Sequence, residues 1–407
     1  MNPGWGDKLA LCLGGLCSPC GGCLGTPAVR MYGKYLKKQF NKAGLVEEQV
    51  DIDGGETSMH MWVPKKFADA RKGGRTIEQQ KQPPVVLLHA FGPGAIWHWN
   101  AQVKDFCKRL DVFIPDLPFF GESTSRSNQR SETWEAECVK KALDQYGVTT
   151  FDAVGISYGG FVGYRLAQLY PNNLRKVCLT DSPGVVVTKE EWQNVLKDLG
   201  LKDMLETLLP DNRKDMRAGI GLTFHKPPPV PGCILDGALK VMFGDGLDER
   251  RELVEHLMRF LDNPESPLGR YRQECLLVWG EFDRVFPLPL GQKLKAFLGP
   301  SAELVVIKKG GHQPSVEMPK EYNKIVLDWL TAEPKVMTEA TGKPVVEADG
   351  YTRNPGSSDS AAETGEAIAA EKLDGNRGGL AEHMETSLGE ARAPAGDVEL
   401  ARQTLTS

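Results

Sequence analysis

The chain lacks any strong charge bias: 49 Lys and Arg against 54 Asp and Glu leave a formal net charge of −5. A basic domain with clustered cations, the footprint of a nucleic-acid binder, is therefore excluded. Cysteine is sparse through the middle of the sequence. Cys107, Cys138, Cys178, Cys233 and Cys275 stand singly in apolar stretches, which is how buried reduced thiols look and not a disulfide framework. A reducing, cytoplasmic compartment is expected. Cys12, Cys17, Cys20 and Cys23 crowd too closely to give the separated ligand pairs of a zinc site. Aromatics give out near the end, where Tyr351 is the only one from Lys335 onward. Such a segment cannot bury enough apolar surface to offset its ordering entropy, so 335–407 reads as a disordered acidic tail. Its closing "LTS" is not a peroxisomal address.

A long charge-free run does occur, from Leu9 to Val29, but its five glycines and two prolines make a poor transmembrane helix. Its clustered thiols are candidates for S-acylation. Next, in "AVRMYGKYLKKQFNKAG", Met31, Tyr35, Leu36 and Phe40 can share one helical face, and Arg30, Lys34, Lys37, Lys38 and Lys42 bring charge of one sign. This pattern suits a helix lying on an anionic membrane surface or docked on the protein's own domain. The Cys-rich, basic segment is set at residues 1–44.

From there the apolar runs alternate with helical patterns. "EEQVDIDGGETSMHMWVP" reads as a strand pair around Asp53-Gly54-Gly55. "VVLL", "VFI", "FDAVGI", "KVCLT", "CLLVWG" and "ELVVIK" are short buried strands, most followed by a helical stretch, and Ser131 is placed to cap one helix. This alternation predicts an α/β fold with a mainly parallel sheet covered on both faces. The rhythm breaks over 184–270, which is helical in pattern and reads as an inserted cap. The core is thus split into 45–183 and 271–334.

Ser157 lies in "VGISYGG", between a strand and a helix, with Gly155 and Gly159 two residues to either side. A serine so placed sits at a helix N-terminus that favours developing negative charge, and the glycines admit close backbone approach. This serine reads as a nucleophile. It needs a base, and the base needs an orienting acid. His312, in "KKGGHQPSVEMP", follows the last predicted strand on a glycine-flanked loop and fits the base. Two aspartates follow strands on the same edge. Asp283 in "GEFDRVFP" gives the chain order Ser, Asp, His, and Asp181 in "LTDSPG" is its rival. An oxyanion hole requires two preorganised N–H donors, which Tyr158 and the "HAFGPGA" loop, at Phe91, can supply. His89 is placed to brace that loop.

Taken in order, "LLHAFG", "PDLPFFGES", "VGISYGG", "VWGEFDRVFP" and "GGHQPSVEMP" resemble the α/β-hydrolase superfamily over roughly 290 residues. More narrowly, "MWVPK", "FHKPPPVP" and "DRVFPL" look like a plant-type branch close to monoacylglycerol lipases and meta-cleavage C–C hydrolases. The resemblance implies an eight-stranded sheet, a helical lid, a Ser157–His312–Asp283 triad, and neither cofactor nor metal. It also excludes epoxide hydrolase and dehalogenase chemistry, which places an aspartate where Ser157 stands. Ala90 departs from the glycine usual at its position, which puts the shape of the oxyanion loop in question. The expected activity is hydrolysis of a hydrophobic, lipid-like acyl ester. A C–C hydrolase, with which "GPGA" agrees, and a slow-turnover ligand receptor of the same fold are the alternatives.

Overall fold

The computed structural model describes residues 25–333 apart from 76, 78–81, 185, 245 and 263–272, together with 336–337 and 344–345. The cysteine cluster before Gly25 and most of the acidic tail lie outside the described residues.

Helix α1 (Gly25–Lys42) leads into the hairpin β1 (Leu45–Asp51) and β2 (Thr57–Pro64), followed by α2 (Lys65–Lys72). Strands β3 (Val85–Leu88), β4 (Val112–Pro115), the two-residue β5 (Thr124–Ser125), β6 (Phe151–Ile156) and β7 (Leu174–Thr180) come next. Between them lie α3 (Glu132–Asp144), capped by Ser131 as expected through a bond from the Trp134 N–H, and α4 (Tyr158–Leu169). The segment after β7 is helical: α5 (Lys189–Leu199), α6 (Arg213–Thr223), α7 (Gly232–Met242) and α8 (Leu247–Asp262). Then β8 (Glu274–Gly280), α9 (Leu288–Leu298), β9 (Ala302–Ile307) and α10 (Pro319–Thr331) follow.

The strands form one sheet in the order β1-β2-β4-β3-β6-β7-β8-β9, with β5 beside β2 as a ninth member. The first hairpin and the β2–β4 pair are antiparallel, and every pair from β4 to β9 is parallel. Eight strands were expected; the ninth is only two residues long, too short to leave a periodic signal. Parallel strands bury both faces, and β3 shows it. Val86 and Leu88 enter a core shared with Val139 and Leu143 of α3 and Val162 of α4. Val85 and Leu87 enter the opposite core with Trp99, Tyr322 and Val326. The sheet is therefore packed on both sides, and its carboxyl-end edge is where loops leave the core.

Two expectations need correction. The face proposed for α1 is split: Leu36 and Phe40 are buried with Ala28, Val29 and Tyr32, whereas Met31 and Tyr35 are 58% and 52% exposed. The buried stripe follows the spacing 28/29, 32, 36, 40, which is the one that docks on α7 and β2. Contact with α7 is close enough that a Cβ on Gly237 would lie 2.4 Å from the Gly25 carbonyl carbon. The tail is also not wholly without structure. Val336–Met337 pairs antiparallel with Pro344–Val345, where valines supply a local β preference.

Candidate active site

Four chain ends at the sheet edge bring the proposed residues together. Ser157 follows β6 with φ 51° and ψ −117°, a strained conformation for a residue with a Cβ. The turn closes because its flanks carry no side chains. A Cβ on Gly155 would lie 2.2 Å from the Gly159 carbonyl oxygen, and one on Gly159 would lie 2.3 Å from that of Leu88. The Ser157 N–H donates to the Thr180 carbonyl at 2.9 Å, pinning the turn to β7.

His312 lies on the loop after β9 and is buried. Its Nδ1–H donates to Asp283 Oδ2 at 2.9 Å, and its Nε2 accepts from Ser157 Oγ at 2.9 Å. Asp283 follows β8. Its other oxygen, Oδ1, accepts from the Val285 and Phe286 N–H groups at 2.8 and 2.9 Å. This arrangement fixes one tautomer: the proton on Nδ1 leaves Nε2 with a lone pair facing the serine hydroxyl. It can take a proton from Oγ as that oxygen attacks.

Asp181 stands nearby but is held differently. It is fully buried after β7, and its Oδ1 accepts from the Gly280 N–H at 2.8 Å, not from His312. Burial, and next the charge of Asp283, push its carboxyl well above the ordinary carboxylate range.

Phe91 and Tyr158 lie on the opposite side of the serine from Asp283's strand. Their rings meet edge-on at 5.6 Å, and both pack against Phe120. Tyr158 opens α4, where the first N–H groups lack intrahelical acceptors. Among the described residues, neither of these two amides is taken up by another group. His89 does brace the loop: Nδ1–H donates to the Ala90 carbonyl at 2.8 Å, and Nε2 accepts from the Leu117 N–H at 3.0 Å. Burial lowers its pKa, in keeping with a neutral ring. Ala90 avoids positive φ, so its methyl introduces no backbone strain.

Sequence reasoning missed Asp116. This buried carboxylate accepts from the Ala95 N–H at 2.6 Å, the Glu122 N–H at 3.0 Å and His60 Nδ1 at 2.9 Å. It thereby ties the Phe91–Ala95 loop to the loop after β4. Burial alone would lower the His60 pKa, but the hydrogen bond and charge of Asp116 raise it overall. The ionic part of this contact is therefore complete below His60's ordinary 6.5 and fades as pH climbs through the raised value. Asp116→Ala strands the buried Ala95 N–H, the part-buried Glu122 N–H and a buried imidazole, and is expected to cost about 3–5 kcal/mol. Denaturant unfolding at pH 6 checks this.

An apolar cavity of about 210 Å³ is lined by Phe91 and by Gln313, the residue after His312, together with Val29, Met216, Ile234 and Phe243. His98 also lines it, and burial brings its pKa down to about 3, so it is a neutral part of the wall. His225 is not part of this cavity; its ring stacks on Phe282 at 4.3 Å.

A serine turn after β6, an aspartate after β8 and a histidine after β9 of such a sheet make up an α/β-hydrolase architecture. The family described as "alpha/beta hydrolase fold" matches residues 83–214. A 2-hydroxy-6-oxononadienedioate/2-hydroxy-6-oxononatrienedioate hydrolase of a Pseudomonas species is 26% identical over 60% of this chain and 87% of its own. Lipase 1 of Psychrobacter immobilis is 25% identical over 73% of this chain and 88% of its own. Among solved structures, the 2-hydroxy-6-oxo-6-phenylhexa-2,4-dienoate hydrolase of Rhodococcus sp. strain RHA1 superposes with a TM-score of 0.56 at 22% identity, covering 71% of this chain and 99% of that one. The chain belongs to the α/β-hydrolase superfamily and is a hydrolase of α/β fold.

Proposed function

We propose that the protein hydrolyses carboxylic esters of hydrophobic acyl groups through an acyl-enzyme. The observation that carries this is the unbroken chain from Ser157 Oγ to His312 Nε2 and from Nδ1 to Asp283, each link 2.9 Å. In this reading Ser157 attacks the ester carbonyl, and His312 takes its proton and passes it to the leaving alcohol. Asp283 holds the imidazole and stabilises its charged form. The Phe91 and Tyr158 amides receive the developing oxyanion. Water, deprotonated by His312, then releases the acid and restores the serine. No cofactor or metal is required for any of these steps. The helices between Lys189 and Asp262 serve as the cap, and residues 207–243 among them supply part of the cavity wall.

C–C bond hydrolysis is the second reading, favoured by "GPGA" at Gly92 to Ala95 and by two of the three relatives named above, the Pseudomonas and Rhodococcus hydrolases. The substrates of those two, by their names, are carboxylate-bearing dienoates or trienoates. The described cavity lining holds no charged side chain to pair with such an anion, and an unpaired buried charge is costly. A neutral acyl chain suits it better.

Rates on p-nitrophenyl esters of graded chain length, set beside 2-hydroxy-6-oxo-6-phenylhexa-2,4-dienoate, test the choice. The expected result is a preference for acyl chains longer than acetyl, with kcat/KM at least ~10-fold higher, because each buried methylene contributes about 0.8 kcal/mol. Faster turnover of the dienoate than of every ester overturns the ester reading.

A further inference from the structure

Helix α1 has two faces with different tasks. Its inner stripe docks on α7, and Val29 on that stripe lines the apolar cavity. The outer side carries Arg30, Lys34, Lys38 and Lys42, all exposed and spaced four residues apart, with Met31 and Tyr35 beside them. A ridge of this kind runs about 18 Å along the helix. The helix holds no acidic residue. Most neighbouring cations are taken up: Lys37 lies between Glu47 and Glu122, Lys65 pairs with Asp69, Lys66 with Asp111, and Lys72 with Glu48. Among the described residues, none of the four ridge cations has a carboxylate partner. Met31 and Tyr35 are also two of only four large hydrophobic side chains that stand exposed among the described residues.

We propose that this outer face is a docking surface for an anionic lipid bilayer, which sets the cavity wall formed by the same helix beside the membrane. Four unpaired cations in a row complement the negative potential of such a surface, and their attraction reaches only about a Debye length, roughly 8–10 Å, so the face must lie against the headgroups. Met31 and Tyr35 project from the same side and can enter the interfacial layer, where Tyr is favoured. The docking stands on the face alone. That a lipid-like ester passes from the bilayer into the cavity rests also on the proposed ester hydrolysis.

Deleting α1 is no test, because Leu36 and Phe40 would leave the core. The full chain, stripped of any thioester with hydroxylamine, is instead sedimented with phosphatidylcholine vesicles containing 30% phosphatidylserine, and with phosphatidylcholine alone. Binding is expected only to the anionic vesicles and is lost in 0.5 M salt. The Arg30→Gln, Lys34→Gln, Lys38→Gln, Lys42→Gln variant is expected to bind on the order of 10²- to 10³-fold more weakly. Met31→Ser with Tyr35→Ser weakens binding further while leaving the salt dependence in place. Equal binding of wild type and the quadruple variant, or wild-type binding that ignores lipid charge, overturns the proposal. So does failure of the wild type to bind. Capture by polyglutamate without vesicle binding would make the face a protein-docking surface and likewise overturn it. Hydrolysis of soluble p-nitrophenyl butyrate, measured on the same samples, should be unchanged in both variants. Its absence from the wild type would refute the ester reading and leave the docking result standing.

Discussion

Ser157→Ala is expected to abolish ester hydrolysis, lowering kcat by roughly 10⁴- to 10⁶-fold, and to end labelling by a fluorophosphonate. The size of the loss follows from geometry. Ser157 Oγ is the hydroxyl that His312 Nε2 faces at 2.9 Å, so among the described residues no other group is placed to form the acyl-enzyme. The fold should survive. Alanine keeps the Cβ that already accepts φ 51°, and the lost hydroxyl had the histidine as its hydrogen-bond partner. A thermal midpoint equal to or slightly above that of the wild type is expected, because strained functional sites are held at a cost in stability. Stoichiometric fluorophosphonate labelling of the variant would show that a different residue attacks.

Much of the sheet was legible because parallel strands buried on both faces write themselves as continuous apolar runs. "VVLL" and "CLLVWG" have no other reading once glycine or proline bounds them. The Ser157 turn was legible for a local reason, since the glycines that let its backbone close lie within two residues on either side. Asp116 was not. It follows a strand in "PDL" like any turn aspartate, and its partners Ala95, Glu122 and His60 come from three separate loops and strands. Nothing within a short window records such convergence. The α1 faces were half legible: periodicity groups residues around a helix, but it does not say which side meets the protein when apolar residues lie on both. Met31 and Tyr35 went to the outside because the small residues Gly25, Ala28 and Gly33 admit α7 and Trp97 on the other.

The two aspartates at the sheet edge both follow strands, with the sequence favouring Asp283, and their substitution by asparagine should separate them by the largest margin after Ser157. Asp283→Asn is expected to lower kcat by on the order of 10³-fold or more. The amide cannot stabilise the imidazolium, and its NH₂ can meet Nδ1 only by turning the ring to the wrong tautomer, which leaves a proton on Nε2 facing the serine. Asp181→Asn is expected to leave kcat within about 10-fold of wild type, for a reason that lies in its protonation. Two buried carboxyl groups side by side cannot both ionise, and Asp283 is the one with two backbone N–H donors and the imidazole around it. The proton therefore resides on Asp181, whose pKa is raised first by burial and then by its neighbour. Asparagine reproduces that neutral acid: its oxygen still accepts from the Gly280 N–H, and its NH₂ takes the place of the protonated oxygen. Asp181→Ala supplies neither group, so it should lower activity more than Asp181→Asn does. Loss of activity in Asp181→Asn as deep as in Asp283→Asn would mean that Asp181 carries the charge and orients the base.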